Sequence, residues 1–290
     1  MMRSIVQPGS PIPERIQWIE ARGRTFSATL AAGLPLLEAA RRAFEAEGFA
    51  GGVLNFRGGA LGPFAYVMPA LSRTGDNAAF YSDTFRPDGA TRLKIGAMTL
   101  GRRDGAPFFH CHALWTEAGG RSNGGHILPE ETIIAEPFAV DAFGLDGAVF
   151  TAVPDPETNF KLFGPVPSAS GVTTTSRAFA LRLRPNQDFA GALEAFCRAH
   201  GIFRARLHGG VGSTIGARFT DGRSVIPFAT ELAVSSGFVA SGAGGTLEAD
   251  LDVALVDYLG GLAEGRLARG DNPVLMTMEL VLEVLDEGAL

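Results

Sequence analysis

Three closely spaced histidines are the residues of this chain with the clearest chemical potential. His110, His112 and His126 are three of its five histidines. The residues around the first two are apolar and favour β-structure, so we expect both on one strand, where positions two apart share a face and Cys111 points the other way. A glycine-rich turn over 119–125 can return the chain and bring His126 beside them. Three converging imidazoles without a fourth protein ligand nearby are typical of a catalytic zinc site.

A pair of histidines on one strand has a simpler explanation, which is hydrogen bonding across a subunit interface without any metal ion. The position of His126, directly after the pair Gly124-Gly125, favours the metal site.

Chemistry at such a site also needs a carboxylate, and an anionic substrate favours a guanidinium group. Glu136, on the strand predicted after the glycine turn, is the candidate general acid or base. Arg57, at the end of a glycine-bounded strand, and Arg121, in the turn between the predicted ligands, are the candidate substrate-binding cations. Each of the three can also be an ordinary surface charge.

The elements that would position these residues occur twice along the chain. Each copy has an opening strand, a helical pattern and a strand ending in a glycine turn: 24–30, 35–47 and 52–59 in the first, 177–183, 188–200 and 205–212 in the second. Asp188 is a predicted N-cap, and Gly48 and Gly201 are predicted C-caps. Many short strands with one helix per copy indicate an α+β fold rather than a doubly wound sheet.

These repeats predict four regions in the chain. They are an N-terminal extension (1–23), a first domain that carries the histidines (24–153), a proline-rich, semi-extended linker (154–176) and a second domain (177–290).

The second copy lacks the histidines. Asp250 and Asp252 occupy the positions of the His-Cys-His stretch, and Arg266 follows the next turn. The two carboxylates can bind a hard cation, although solvated surface carboxylates are the more ordinary interpretation. We therefore expect a degenerate copy with a structural or substrate-shaping role.

The composition narrows the classes of partner. The 290-residue chain has a net charge of −6, 46% hydrophobic residues and no dense run of Lys or Arg, which disfavours nucleic-acid binding. Two cysteines do not make a disulfide framework. Neither a secretion signal nor an apolar run of about 18 residues is evident, so we expect no membrane association and a cytoplasmic location.

The string Phe108-Phe109-His110-Cys111-His112, followed by Gly124-Gly125-His126, resembles the PPC (plants-and-prokaryotes conserved) domain. The resemblance covers about 24–140 well and about 177–285 in outline. It implies two tandem copies of a bent antiparallel sheet with a packed helix, similar to α-acetolactate decarboxylase and to a zinc-dependent ester hydrolase. It also implies that His110, His112 and His126 are the metal ligands. No AT-hook segment of the kind that accompanies PPC domains in plants is present.

From these observations we expect an enzyme that depends on Zn²⁺ or another divalent transition metal. Its reaction would be a lyase reaction, such as decarboxylation or enolate formation, or a hydrolysis, and its substrate a small anionic carboxylate or carbonyl metabolite. We expect a homo-oligomer, either a trimer or a dimer. The alternatives are a DNA-associated or regulatory PPC protein without catalysis and a small-molecule sensor without turnover.

Overall fold

The computed structural model describes residues 2–168, 171–172, 176–242 and 244–285. The elements of the N-terminal half are β1 (Ile16–Leu30), α1 (Leu36–Ala46), β2 (Gly52–Arg57), β3 (Ala60–Leu61), β4 (Tyr66–Val67), β5 (Pro69–Ala70), β6 (Phe80–Tyr81), β7 (Thr91–Arg103), β8 (Ala106–Thr116), β9 (Ser122–Ile127), β10 (Ile134–Glu136), β11 (Phe138–Asp155) and β12 (Phe160–Ser168). Those of the C-terminal half are β13 (Ser176–Leu183), α2 (Phe189–Ala199), β14 (Arg204–Arg218), β15 (Ser224–Ser241), β16 (Leu247–Asp257), β17 (Leu262–Arg266) and β18 (Val274–Val284).

Within the described residues, these elements form a mostly antiparallel, 16-stranded sheet, a separate two-stranded sheet of β5 and β6, and two helices. The halves join where β1 pairs with β13, through 16–23 and 176–183. Outward from that junction the N-terminal half runs β1, β11, β2, β7, β8, β9, and the C-terminal half runs β13, β18, β14, β15, β16, β17. The strand order is therefore the same in both halves.

Both helices follow the pattern that the sequence predicts. Apolar side chains spaced four apart, Leu36, Ala40 and Phe44, are buried along α1, and α2 buries its own stripe in the same way. The Asp188 carboxylate accepts a hydrogen bond from the backbone N–H of Gly191, which confirms the predicted N-cap. Gly48 has a φ of +82°, the left-handed conformation that glycine adopts without strain after a helix.

The outer strands of the two halves pack across each other. Leu114 of β8 shares a small buried cluster with Ala254 of β16. The Asn55 side-chain amide on β2 donates a hydrogen bond of 2.9 Å to the carbonyl of Val234 on β15. Gly209 has no side chain where Val53 approaches, because a Cβ there would lie 2.6 Å from the Val53 Cβ. This packing lays the face of β8 that carries the histidines against β14, β15 and β18.

A buried ion pair fixes the junction between the halves. Arg182 of β13 and Arg184, just after the end of that strand, each donate a hydrogen bond of 2.7 Å to the same carboxylate oxygen of Asp155, at the end of β11. Asp155 is 3% exposed, so its charge depends on these two partners.

The structure differs from the predicted organisation at two places. The opening strand begins at Ile16 rather than Arg24, because 16–23 of the expected extension pair with β13. Within the expected linker, 160–168 form β12, which pairs with β11 and buries Phe163. Its prolines are tolerated because β12 lies at an edge of the sheet. Residues 169–170 and 173–175 of the expected linker lie outside the described residues. None of the described helices is long and apolar enough to cross a membrane.

Candidate metal centre

The three sequence-predicted histidines come together on two neighbouring strands. His110 and His112 lie two residues apart on β8, and His112 pairs directly with His126 on β9. One ligand atom from each of the three residues falls within 4.8 Å of the others. Cys111 points away and is fully buried in the core of the N-terminal half, as the strand alternation predicts.

Groups from the C-terminal half fix the orientation of two of the rings. Nδ1 of His110 lies 2.9 and 3.0 Å from the two carboxylate oxygens of Glu279 on β18. Nδ1 of His112 lies 3.1 Å from the carbonyl oxygen of Leu232 on β15. Both partners accept hydrogen bonds, so Nδ1 carries the proton in each ring and Nε2 of a neutral ring is a bare lone pair.

The two Nε2 atoms face each other across 3.0 Å. Two lone pairs at this distance repel unless a cation, either a proton or a metal ion, lies between or beside them. Two imidazole nitrogens bound at about 2.0–2.1 Å to one tetrahedral zinc ion would be separated by about 3.3 Å. The observed spacing is therefore close to the one that a shared metal ion requires.

Burial keeps the groups around this pair in their neutral forms. It lowers the pKa of His112 and of His126 well below the usual imidazole value, and the neighbouring His110 lowers both further. Burial also raises the pKa of the Glu231 carboxyl well above its usual value, with one of its oxygens 3.9 Å from His112 Nε2. Neutral imidazole is the form that binds a metal ion.

Two buried polar atoms at the centre have no hydrogen-bond partner among the described residues: Nδ1 of His126 and Oε2 of Glu231. Unpaired buried polar atoms are costly, and they concentrate where a ligand or water completes the site. The donor set of three imidazoles with an adjacent carboxyl fits a divalent transition metal ion with one position left for water or substrate.

His110 and His126 open onto a cleft of about 290 Å³. The walls of this cleft are mainly apolar: Val67, Phe108, Leu128, Phe160, Leu162 and Phe163. A smaller cavity of about 50 Å³, lined by His112 and Glu231, adjoins this cleft, and Tyr81, His110 and Phe160 line both spaces.

Two cations stand at the cleft, and neither was predicted. Arg103 stacks over Phe108, with its Cζ 5.1 Å from the ring centroid, and it is close enough to His126 to lower the pKa of that imidazole. Lys161 also lines the cleft and donates a hydrogen bond of 2.7 Å to Asp104.

The structure does not bring the three predicted catalytic residues to the histidines. Glu136 is exposed and ion-paired with Arg92, which is aligned with Thr116 at the far end of β8. Arg121 is exposed five residues before His126, a separation of about 16 Å along a strand. Arg57 is exposed at the end of β2 and does not line either cavity.

Glu231 and Glu279 are carboxylates at the centre, and Arg103 is a guanidinium group that lines its cleft. The signal for the two glutamates was present in the sequence, because Glu231 is the one charged residue of β15 and Glu279 is flanked on both sides by apolar residues in β18. A lone carboxylate in such a strand is buried with its neighbours and needs a partner. For Arg103 we find no comparable signal.

Several solved structures resemble part of this chain. A metal-containing protein from Archaeoglobus fulgidus is 19% identical over 49% of this chain and 94% of its own, with a TM-score of 0.39. A plant- and prokaryote-conserved (PPC) protein from Pyrococcus horikoshii is 19% identical over 51% of this chain and 96% of its own, with a TM-score of 0.39. A candidate DNA-binding protein from Bacteroides thetaiotaomicron is 12% identical over 49% and 96%, with a TM-score of 0.36.

No curated protein matches the sequence. One family model matches the sequence, in the half that lacks the histidine motif. The stronger resemblance was expected over 24–140, which carries the motif. Residues 171–286 match the Plants and Prokaryotes Conserved (PCC) domain.

Proposed function

We propose that His110, His112 and His126 hold a divalent transition metal ion, with zinc the first choice, and that the chain is a metal-dependent enzyme. The observation that supports this most strongly is the pair of facing Nε2 atoms, 3.0 Å apart and both oriented from behind by hydrogen-bond acceptors. Such outer partners fix the tautomer of metal-binding histidines and raise their basicity.

The substrate class follows from the cleft. Its apolar walls fit a short carbon skeleton, and Arg103 and Lys161 supply positive charge at its edge. Arginine binds a carboxylate with two parallel hydrogen bonds. We therefore propose a small carboxylate that also carries a carbonyl or ester group, with its carboxylate at Arg103 and its reacting carbonyl at the histidines.

Lyase and hydrolase chemistry both suit this arrangement. A bound divalent ion would polarise the substrate carbonyl or lower the pKa of a bound water. Glu231 would hold a proton at the carboxyl oxygen that has no partner, and would exchange it with a substrate oxygen or carbanion. Tyr81, whose ring centroid lies 5.4 Å from that of His126, would help to exclude water from the same space.

The same strand order in both halves suggests how this site arose. We propose that the chain is a tandem duplication in which the C-terminal copy lost its histidines and became the wall that supplies Glu231 and Glu279. Assembly of such chains as trimers or dimers is a further expectation, which light scattering after size-exclusion chromatography would resolve.

The test is metal stoichiometry followed by a substrate screen. The purified chain, stripped with a chelator and then supplied with zinc, is expected to retain about one zinc ion. H110A and H126A are expected to lose that ion and to keep their secondary structure, while H200Q, a variant of the C-cap histidine of α2, retains it. Product formation from 2-oxo acids, 3-oxo acids or simple carboxylate esters would establish turnover. A wild-type chain that retains no metal would contradict the proposal, and ligand-induced melting shifts without product would indicate a sensor.

DNA association is the second candidate, because the PPC resemblance implies it for some members of the family. The net charge of −6 opposes it. We expect no shift of duplex DNA in a gel assay at physiological salt, and a salt-dependent shift would favour this candidate over the enzyme.

A further inference from the structure

A second and larger cleft lies between the two halves. Its volume is about 670 Å³, within the range typical of small-molecule sites. Strands β1, β2 and β11 of the N-terminal half form one wall, and β14 to β17 form the other. The histidines of the candidate metal centre do not line it, so it is a separate space.

The residues of the C-terminal half that line this cleft correspond in position to the metal centre of the N-terminal half. Asp252 on β16 pairs with Arg266 on β17, as His112 on β8 pairs with His126 on β9. Two residues further along β16 and β8, Ala254 and Leu114 share one buried cluster. The residues that replace the imidazoles therefore face a cleft of their own, against the opposite half.

The charges in the second cleft nearly balance. Arg266 donates hydrogen bonds to Asp252 at 3.1 and 3.2 Å and lies 3.4 Å from Asp250. Asp252 also accepts a hydrogen bond of 2.9 Å from the Ser236 hydroxyl. Asp141 and Arg206 add one charge of each sign to the walls.

Flat ring surfaces lie beside these polar groups. The His208 ring stacks on Phe143, with their centroids 4.5 Å apart. The Arg206 guanidinium carbon lies 5.7 Å from the centroid of the Phe238 ring. Donors, acceptors and apolar ring faces are thus interleaved within one cleft.

We propose that this second cleft binds a neutral, polyhydroxylated small molecule of the sugar class. A hydroxyl group both donates and accepts hydrogen bonds, so it can use carboxylates and guanidinium groups that alternate along a wall. A ligand with charge of one sign would meet a like charge beside each opposite one. The C–H faces of a sugar ring would pack on the half-buried rings of Phe238 and His208, since Phe143 is fully buried.

The experiment is saturation-transfer NMR on the full chain with a panel of neutral mono- and disaccharides, followed by titration of the best binder. Inorganic phosphate and spermidine serve as charged probes. F238A and the charge-neutral double variant D252N/R266Q are expected to weaken sugar binding at least tenfold. H126A, in the other cleft, and R92Q, an exposed control, are expected to bind as the wild type does.

Failure of this proposal is separable from failure of the proposed enzyme. No sugar binding, binding of phosphate or spermidine alone, or an equal loss of sugar binding in H126A would each overturn the second site. None of these results bears on zinc retention, which depends on the histidines.

Discussion

Glu279 lies in the half of the chain opposite to the histidines, and its replacement tests whether that half builds the metal centre. Its side chain is 1% exposed, and both carboxylate oxygens reach Nδ1 of His110, at 2.9 and 3.0 Å. Loss of an outer partner of a metal-binding histidine costs about 10–100-fold in metal affinity, which is about 1.4–2.7 kcal/mol. E279Q keeps one oxygen acceptor but loses the charge, so we expect about a tenfold weaker zinc affinity. E279A loses both the acceptor and the charge, so we expect zinc affinity to fall by about 100-fold, the upper end of that range.

The assay is competition for zinc against a chromophoric chelator, with the melting temperature of the metal-free chain as a check on folding. A matched control lies four residues further along the same strand. Glu283 accepts a hydrogen bond of 2.7 Å from His208, so E283Q removes the charge from a similar histidine–glutamate pair outside the centre. We expect E283Q to bind zinc as the wild type does. Unchanged affinity in E279Q, or an equal loss in E283Q, would refute the reasoning.

Further predictions concern pH, substrate binding and stability. The pKa of Glu231 is raised in the folded chain, so the unfolded chain loses that proton first as the pH rises above about 4.5, and the free energy of unfolding falls. In the metal-free protein, E231Q should therefore melt at a higher temperature than the wild type at pH 8 and at the same temperature at pH 4. R103Q should raise KM for the carboxylate substrate by about 10–100-fold with little change in kcat, because a charge-assisted hydrogen bond contributes about 1.5–3 kcal/mol, whereas R102Q, one residue away, should leave KM unchanged. D155N should lower the free energy of unfolding in urea by about 3–5 kcal/mol, because it leaves two buried guanidinium groups without their shared carboxylate; a loss below 1 kcal/mol would show that solvent compensates them.

Local sequence patterns predicted the parts of the fold that local physics determines. The helices fall within a residue of their predicted limits, since their limits depend on a capping side chain and on glycine at positive φ. The His-x-His strand and the return of His126 depend only on strand alternation and one hairpin, so the histidine cluster could be placed from the sequence.

The remaining parts depend on contacts between distant segments. Glu136 was predicted at the site because it follows His126 in the chain, but β10 pairs with β3 and carries it to the far end of β8. Glu279 and Leu232 reach the histidines only because the two halves pack across each other, more than 100 residues apart in sequence. No local pattern encodes that approach.

The measurement that tests the account most directly is anomalous X-ray diffraction at the zinc edge, from crystals of the full chain grown with zinc. We predict one strong anomalous peak per chain, within bonding distance of His110, His112 and His126 and with a further position open to the cleft that holds Arg103. Rings that stay in place without a peak among them would contradict the account.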